Sequence, residues 1–132
     1  MWVVNPPSNY LAENGALIIC NLSASDEVIG NAEYRRSLVK NQSARLISGY
    51  IYADAGTGES STDMVFAGHN LIAENGAIIS ESKKFTTGIT YSDLDLDRLS
   101  SERRRMTTFK NATEKNPLIC KYDFPVKDIV LT

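Results

Sequence analysis

The sequence predicts an α/β domain with a mixed β-sheet, and three segments near its start carry that prediction. Residues 17–21 begin with the apolar run LIIC, whose β-branched residues favour a strand. A polar turn follows, and residues 27–45 then place apolar side chains at helical spacing, so they should form the longest helix. Residues 47–53 are rich in β-branched and aromatic side chains and should form a second core strand beside the first.

The turn between the first strand and the helix is where a ligand site is expected. In α/β proteins, ligands bind at the carboxyl ends of strands, where the first N–H groups of the following helix are free. Ser23, Ser25 and the start of the helix should therefore line any pocket. Asp26 is a suitable N-cap for the helix, and Glu27 adds a carboxylate near the positive end of its dipole.

The residues before the first strand predict a short helix. Residues 1–9 contain two consecutive prolines, which helix interiors exclude, so this entry should be extended. Residues 9–13 should form one or two helical turns, closed by Asn14 and Gly15 as a C-cap.

A loop and a β-hairpin are predicted after the second strand. Residues 54–63 (DAGTGESSTD) combine glycines with small polar residues, which is typical of a loop. Residues 64–74 and 77–82 flank Asn75 and Gly76, a pair that favours a two-residue hairpin turn with positive φ at both positions.

The C-terminal third gives a weaker pattern. Residues 89–91 are expected to be a strand, and residues 93–105 a charged helix capped by Asp93 or Asp95. Residues 118–122 are a further candidate strand, ended by a following proline.

Composition and charge indicate one soluble domain. The 132 residues are 42% hydrophobic and 23% charged, with a net charge of −2, which argues against nucleic acid as the main partner. No apolar run approaches the roughly 18 residues of a membrane span, so no membrane partner is expected. Two cysteines in strand-like runs do not form a disulfide framework, and a cytoplasmic location fits them.

Two patterns resemble metal sites but lack the residues that the chemistry requires. Asp93, Asp95 and Asp97 are spaced like the first ligands of a calcium loop, but Arg98 occupies the position that needs glycine. His69 is the only histidine and has no cysteine near it in the sequence, so a polar structural role is expected. We therefore predict no metal site.

Two arginine-containing runs have structural and functional interpretations. Residues 103–105 (RRR) could bind phosphate, but as the last turn of a helix they would complement its dipole. Residues 33–36 (EYRR) could form ion pairs on a helix surface that packs on another layer, or could support a pocket from below. The structural interpretation is favoured for both runs.

Four longer motifs carry a resemblance to a known family. They are N-L-S-x-S, A-E-Y-R-R, A-G-x-G-E-S-x-T-D and E-N-G-A, within a similarity that runs over about residues 2–109. The chain resembles the glutaminase domain of glutamine-dependent NAD+ synthetases, in the carbon–nitrogen hydrolase (nitrilase) superfamily. The resemblance implies part of a four-layer αββα sandwich, with residues 1–132 as a single partial domain that starts just after the family's nucleophilic cysteine.

The resemblance also implies that the catalytic residues lie upstream of this chain. The family uses a Glu–Lys–Cys triad, and its cysteine opens a Cys-Glu-Asp motif a few residues before an aromatic-Val-x-x-Pro-Pro-Ser stretch. Residues 2–8 (WVVNPPS) match that stretch, so no catalytic residue is expected here. Cys20 does not match the nucleophile and is expected to be a small buried residue of a core strand.

Three positions match substrate-binding residues of the family. Trp2 corresponds to an aromatic residue beside the glutamine, and Ser25 to a serine that binds its α-amino or α-carboxyl end. Asn31 stands where the family usually has Lys or Arg, and an amide supplies no charge to a carboxylate.

The resemblance extends to cofactors and partners. No cofactor is expected in this chain, whereas the parent's synthetase domain would use ATP and Mg. Glutamine and that synthetase domain are the expected partners, and apolar faces of half a sandwich would favour self-association. The alternative is a degenerate, non-catalytic nitrilase-like module used for binding or assembly.

Overall fold

The computed structural model describes residues 1–109 and 118–124. This part of the chain holds one four-stranded sheet, three α-helices and a short 3₁₀ helix, Thr57–Glu59. In chain order the main elements are α1 (Pro7–Glu13), β1 (Ile18–Ser23), α2 (Asn31–Leu46), β2 (Gly49–Asp54), β3 (Leu71–Glu74), β4 (Ala77–Glu81) and α3 (Leu96–Arg105).

The sheet is mixed and has the strand order β1-β2-β3-β4. Strands β1 and β2 are parallel and are joined by α2, with Ile18 paired to Gly49 and Ser23 to Asp54. Strand β3 runs antiparallel to β2, and β4 runs antiparallel to β3. The predicted α/β class and the adjacency of the first two strands are confirmed.

The core lies between the sheet and α2. Val39 and Leu46 of the helix are buried with Tyr50 and Tyr52 of β2, and Leu71 of β3 completes the same cluster. Burying each of these side chains stabilises the fold by roughly 1.5–3 kcal/mol. Helix α2 therefore packs against one face of the sheet.

Cys20 is exposed, so the prediction of a buried cysteine is wrong. Side chains alternate along β1: Ile19 enters the core, whereas Ile18, Cys20 and Leu22 point to the opposite face and are exposed. The apolar run predicted a core strand in which Cys20 is buried. In the described residues, this end of the strand is buried on one face only.

Helix α2 is the longest described helix, as predicted, but it begins at Asn31 and not at residue 27. Its N-cap is Gly30, with φ 85°, and not Asp26. Asp26 is used elsewhere: its Oδ1 accepts a hydrogen bond from the Val65 N–H at 2.9 Å. The Glu27 N–H donates to the Val65 carbonyl at 2.8 Å. These contacts to a distant segment hold residues 26 and 27 outside the helix.

Three predicted strands are absent from the described residues or shorter than expected. Residues 89–91 and 118–122 have no strand, and the hairpin's first strand begins at Leu71. Before Leu71, backbone groups form hydrogen bonds within loops. The Phe66 N–H, for example, donates to Ser60 Oγ at 3.0 Å. Apolar composition alone does not make a strand where no neighbouring backbone is available.

The helical ends follow their capping residues. Helix α1 begins at Pro7, two residues before the predicted start, because proline is accepted in the first turn, where its missing N–H is not needed. Helix α3 is capped by Asp95, whose Oδ1 accepts from the Arg98 N–H at 2.9 Å, as one of the two predictions had it. No described helix has both the length and the apolar character needed to cross a bilayer.

The RRR run forms the last turn of α3, as predicted, and Arg103 also makes contacts outside its own helix. Its Nη2 donates to the carbonyls of Ala16 at 2.7 Å and Leu46 at 2.9 Å. Its Nε lies 3.1 Å from the Ile47 carbonyl, and its guanidinium lies 4.9 Å from the Phe109 ring centroid. Arg103 therefore satisfies carbonyls at the end of α2 and ties α3 to it.

The hairpin turn is confirmed, with φ of 42° at Asn75 and 89° at Gly76. The Gly76 N–H donates to Ser43 Oγ at 2.9 Å, so the turn rests on the end of α2. A Cβ at Gly76 would lie 3.0 Å from Ala44 Cβ.

Replacing Gly76 by valine is expected to lower the free energy of unfolding by about 1 kcal/mol or more. Valine resists positive φ, and its side chain would press on Ala44. Gly58→Val is the control, because a Cβ at Gly58 meets nothing within 4 Å and its φ is not positive. Urea denaturation of both variants measures the difference. Equal midpoints for the two variants would show that the turn carries no strain.

Candidate functional site

The turn after β1 is fixed at the carboxyl ends of the two parallel strands. Ser23 pairs with Asp54 at the end of the β1–β2 ladder. Two residues further on, the Ser25 N–H donates to Asp54 Oδ1 at 2.9 Å. The Asp54 side chain is fully buried, so the turn is held from inside the protein.

Arg35 of α2 lies beneath this turn and is completely buried. Its Nη2 donates to Ser25 Oγ at 3.2 Å and lies 3.8 Å from Asp54 Oδ2. Its Nη1 donates to Glu27 Oε2 at 2.9 Å. One guanidinium thus joins the start and the end of the turn to the end of β2.

His69 continues the network on the other side of Arg35. Arg35 Nη1 lies 2.7 Å from His69 Nδ1, and a guanidinium can only donate, so Nδ1 is the acceptor. The ring proton is then on Nε2, which donates to Glu81 Oε1 at 2.6 Å. This buried bridge agrees with the polar structural role predicted for His69. No group of three or more potential metal ligands is found within residues 1–109 and 118–124.

The EYRR run divides between two environments. Arg36 lies on the surface side of α2, where it pairs with Glu33 and with Glu81. Arg35 faces inward, as described above. The structural interpretation therefore holds for Arg36, whereas Arg35 lies directly under the predicted substrate-binding serine.

Burial and ion pairing act in opposite directions on the carboxylates of the network. Burial raises the pKa of Asp54 above its ordinary value and outweighs the hydrogen bond from the Ser25 N–H. Burial alone would also raise the pKa of Glu27, but hydrogen bonds from Arg35 and Lys84 bring it below its ordinary value. The hydrogen bond from Arg36 is the main cause of the lowered pKa of Glu81.

The centre of the network is not fully satisfied within the described part of the chain. Arg35 Nε, Asp54 Oδ2 and the Tyr52 hydroxyl are buried and have no hydrogen-bond partner there. Buried polar atoms without partners are costly, and they concentrate beneath Ser25.

Trp2 and Asn31 lie at the same end of α2. The half-exposed Trp2 ring packs against Tyr34, with ring centroids 5.6 Å apart. Asn31 is the first helical residue, and its Nδ2 donates to the Asp26 carbonyl at 2.6 Å. Ser25 contacts Arg35 of the same helix. The three predicted residues, Trp2, Ser25 and Asn31, therefore all lie near the first turns of α2.

Two of the clefts contain residues named above. The larger, about 450 Å³, lies beside the end of β4 and is lined by polar residues, including Asn70 and Glu81. The smaller, about 280 Å³, lies between α1 and β1 and contains Cys20 with Tyr50. The side chains that line the Cys20 cleft include no carboxylate, lysine or histidine.

No role in the site was assigned to Asp54 from the sequence, and support of a pocket was only the less favoured interpretation of the run that contains Arg35. Asp54 was predicted to open a loop, although its place at the end of an apolar strand is a signal for a strand-end carboxylate. Arg35 belongs to a run of two arginines, and only the helix orientation shows which one is buried.

Comparison with known proteins identifies the class and then the family. No family model matches the chain. A carbon–nitrogen hydrolase of Helicobacter pylori (16% identity, TM-score 0.63) shares the fold over 76% of this chain and 40% of that one. Saccharomyces cerevisiae Nit3, a nitrilase-superfamily member, shares it at 21% identity and TM-score 0.65, over 80% of this chain and 39% of that one. The chain therefore has a carbon–nitrogen hydrolase fold.

The relatives in sequence narrow this class. The glutamine-dependent NAD(+) synthetase of Mycobacterium tuberculosis is 48% identical over 111 residues, which is 83% of this chain and 16% of that protein. The Mycobacterium leprae protein of the same name is 44% identical over 113 residues, or 84% and 17%. A Cytophaga hutchinsonii synthetase structure matches with 30% identity and a TM-score of 0.55, over 61% of this chain and 14% of that one.

The chain thus spans about one sixth of the length of these curated relatives. It belongs to the glutamine-dependent NAD+ synthetase family, in which it corresponds to one segment with a carbon–nitrogen hydrolase fold.

Proposed function

We propose that residues 1–132 are a single partial carbon–nitrogen hydrolase domain, from the glutaminase half of a glutamine-hydrolysing NAD+ synthetase. The parent would hydrolyse glutamine to glutamate and ammonia and pass the ammonia to its synthetase domain, which would amidate deamido-NAD+ with ATP and Mg. The similarity to relatives named as glutamine-dependent NAD(+) synthetases supports this assignment.

In this proposal the chain contributes one wall of the glutamine pocket. Its main support is the position of the Ser25 turn, which the buried side chains of Asp54 and Arg35 hold at the carboxyl ends of the strands. Trp2 would pack against the aliphatic part of glutamine, and Ser25 would hydrogen-bond its α-end. Asn31 offers no charge, and one hydrogen of its side-chain amide already donates to the Asp26 carbonyl.

The chain alone is expected to bind glutamine weakly and not to hydrolyse it. Amide hydrolysis by acyl transfer needs a nucleophile, an adjacent base and a group that stabilises the oxyanion. Cys20 is exposed, and the side chains lining its cleft include no carboxylate, lysine or histidine. His69 is committed to Arg35 and Glu81.

An ammonia-release assay on the purified chain and on Cys20→Ala tests this expectation. Both proteins should release ammonia from glutamine no faster than buffer. Turnover that is present in the unmodified chain and lost in Cys20→Ala would make Cys20 the nucleophile. It would overturn the proposal that this chain contributes no catalytic residue.

A further inference from the structure

Asparagine followed by glycine is a pair that can react with itself without an enzyme, and the chain contains this pair twice, as Asn14-Gly15 and Asn75-Gly76. In this reaction the backbone nitrogen of the second residue attacks the side-chain amide carbon of the first. Glycine has no Cβ, so its nitrogen is open to the approach. The structure holds the two pairs in different ways.

Both reacting groups of the first pair are held by hydrogen bonds. The Asn14 side-chain Nδ2 donates to the Tyr10 carbonyl at 2.9 Å, and the Gly15 N–H donates to the Ala12 carbonyl at 3.0 Å. Asn14 is also half-buried. The reaction at Asn14 therefore requires two hydrogen bonds at the end of α1 to break.

Only the nucleophile of the second pair is held within the described residues. Asn75 is exposed at the tip of the β3–β4 hairpin, and its side-chain amide has no hydrogen-bond partner within residues 1–109 and 118–124. The Gly76 N–H, in contrast, donates to Ser43 Oγ at 2.9 Å. Ser43 is fully buried, and its hydroxyl donates to the Lys40 carbonyl at 2.9 Å, so the oxygen that accepts from Gly76 is itself fixed in place.

We propose that Asn75 is the main site of spontaneous deamidation in this chain, and that the Ser43 hydroxyl limits its rate. The Gly76 nitrogen bonds to Asn75 Cγ and loses its hydrogen, the Cγ–Nδ2 bond breaks, and ammonia leaves. Water then opens the cyclic imide at either of its carbonyls, which gives aspartate or isoaspartate. The nitrogen reacts only after its N–H leaves Ser43, so the rate follows the local opening of this contact.

The products would weaken the contact between the hairpin and α2. Either product adds a negative charge beside Glu74 and near the carboxyl end of α2, where the helix dipole is also negative. Isoaspartate in addition lengthens the main chain by one carbon inside a two-residue turn, whose flanking residues Glu74 and Ala77 are paired. Deamidation should therefore release the Gly76 amide from Ser43.

Peptide mapping by mass spectrometry, after prolonged incubation at mildly alkaline pH, measures both asparagines in the same sample. Aspartate and isoaspartate should accumulate at position 75 faster than at position 14. Equal or faster modification of Asn14 would overturn the assignment of Asn75 as the main site.

Ser43→Ala tests the role of the hydroxyl. The deamidation rate at Asn75 should rise about two- to tenfold, the factor that one ordinary hydrogen bond represents, and the rate at Asn14 should stay the same. Ser37→Ala removes an exposed serine of the same helix and should change neither rate, which makes it the matched control. An unchanged ratio of the two rates in Ser43→Ala would overturn the role of Ser43.

Hydrogen exchange of the unmodified chain provides a test that does not depend on whether a variant folds. The Gly76 amide should exchange at least about tenfold more slowly than in an unstructured peptide, because Ser43 holds it. In a sample enriched in isoaspartate at position 75, that protection should be lost. A Gly76 amide that exchanges freely before any deamidation would show that Ser43 does not restrain the nucleophile.

Discussion

Replacing Arg35 by methionine is expected to lower the free energy of unfolding by about 3–5 kcal/mol, because breaking a buried ion pair leaves its partners uncompensated. The Asp54 side chain is completely buried and that of Glu27 is 7% exposed. Without the guanidinium, Asp54 would lose its ion-pair partner, Glu27 would keep only Lys84 among the described residues, and His69 Nδ1 would lose its donor.

Arg36→Met is the control for this prediction. Arg36 is 34% exposed and pairs with Glu33, which is 80% exposed, and with Glu81, which is 29% exposed. Glu81 keeps its hydrogen bond from His69 when Arg36 is removed, and partly exposed pairs of this kind are worth about 0–1 kcal/mol each. Urea unfolding at neutral pH measures both variants. If the two substitutions shift the midpoint equally, Arg35 does not organise a buried network.

Replacing Arg103 by alanine is the second large effect and is expected to cost about 2–4 kcal/mol, since charged hydrogen bonds to several carbonyls are lost together. The contacted carbonyls belong to Ala16, Leu46 and Ile47, near the ends of three elements. Removal of the side chain also frees the ring of Phe109. The loss should therefore detach α3 from the end of α2.

Arg104→Ala is the matched control, because Arg104 is exposed and its Nη1 contacts only Ser100 within the same helix, at 3.0 Å. Hydrogen exchange of α3 amides, together with thermal melting, distinguishes the two variants. If the amides of α3 stay protected in Arg103→Ala, Arg103 does not hold α3 against the end of α2.

Much of the fold could be predicted because local signals and tertiary packing agree. The β-branched runs of β1 and β2, the Asn75-Gly76 turn and the Asp95 cap all appear where the sequence indicates. Each is decided by the conformational preference of a few neighbouring residues.

The errors arise where a distant segment decides the outcome. Asp26 is a good helix cap by composition, but the Val65 backbone uses its carboxylate. The exposure of Cys20 depends on which face of β1 is covered, and strand periodicity does not reveal that. The contacts of Arg103 to the end of α2 were missed because its carbonyl partners lie 56 or more residues away.

The candidate site shows the same division. Trp2, Ser25 and Asn31 could be proposed from family resemblance, and the structure places them around one end of α2. The EYRR run was offered as a possible support, but its pairing with Asp54 could not be predicted, because the fold alone brings this helix and strand together.

The first turns of α2 are proposed to form one wall of a glutamine pocket. A glutamine titration of the chain followed by NMR tests it most directly. The NMR signals of the Ser25 and Asn31 amides and of the Trp2 indole N–H should shift together along one weak binding curve. Shifts confined to the Cys20 cleft, or no shift at any of the three residues, would contradict it.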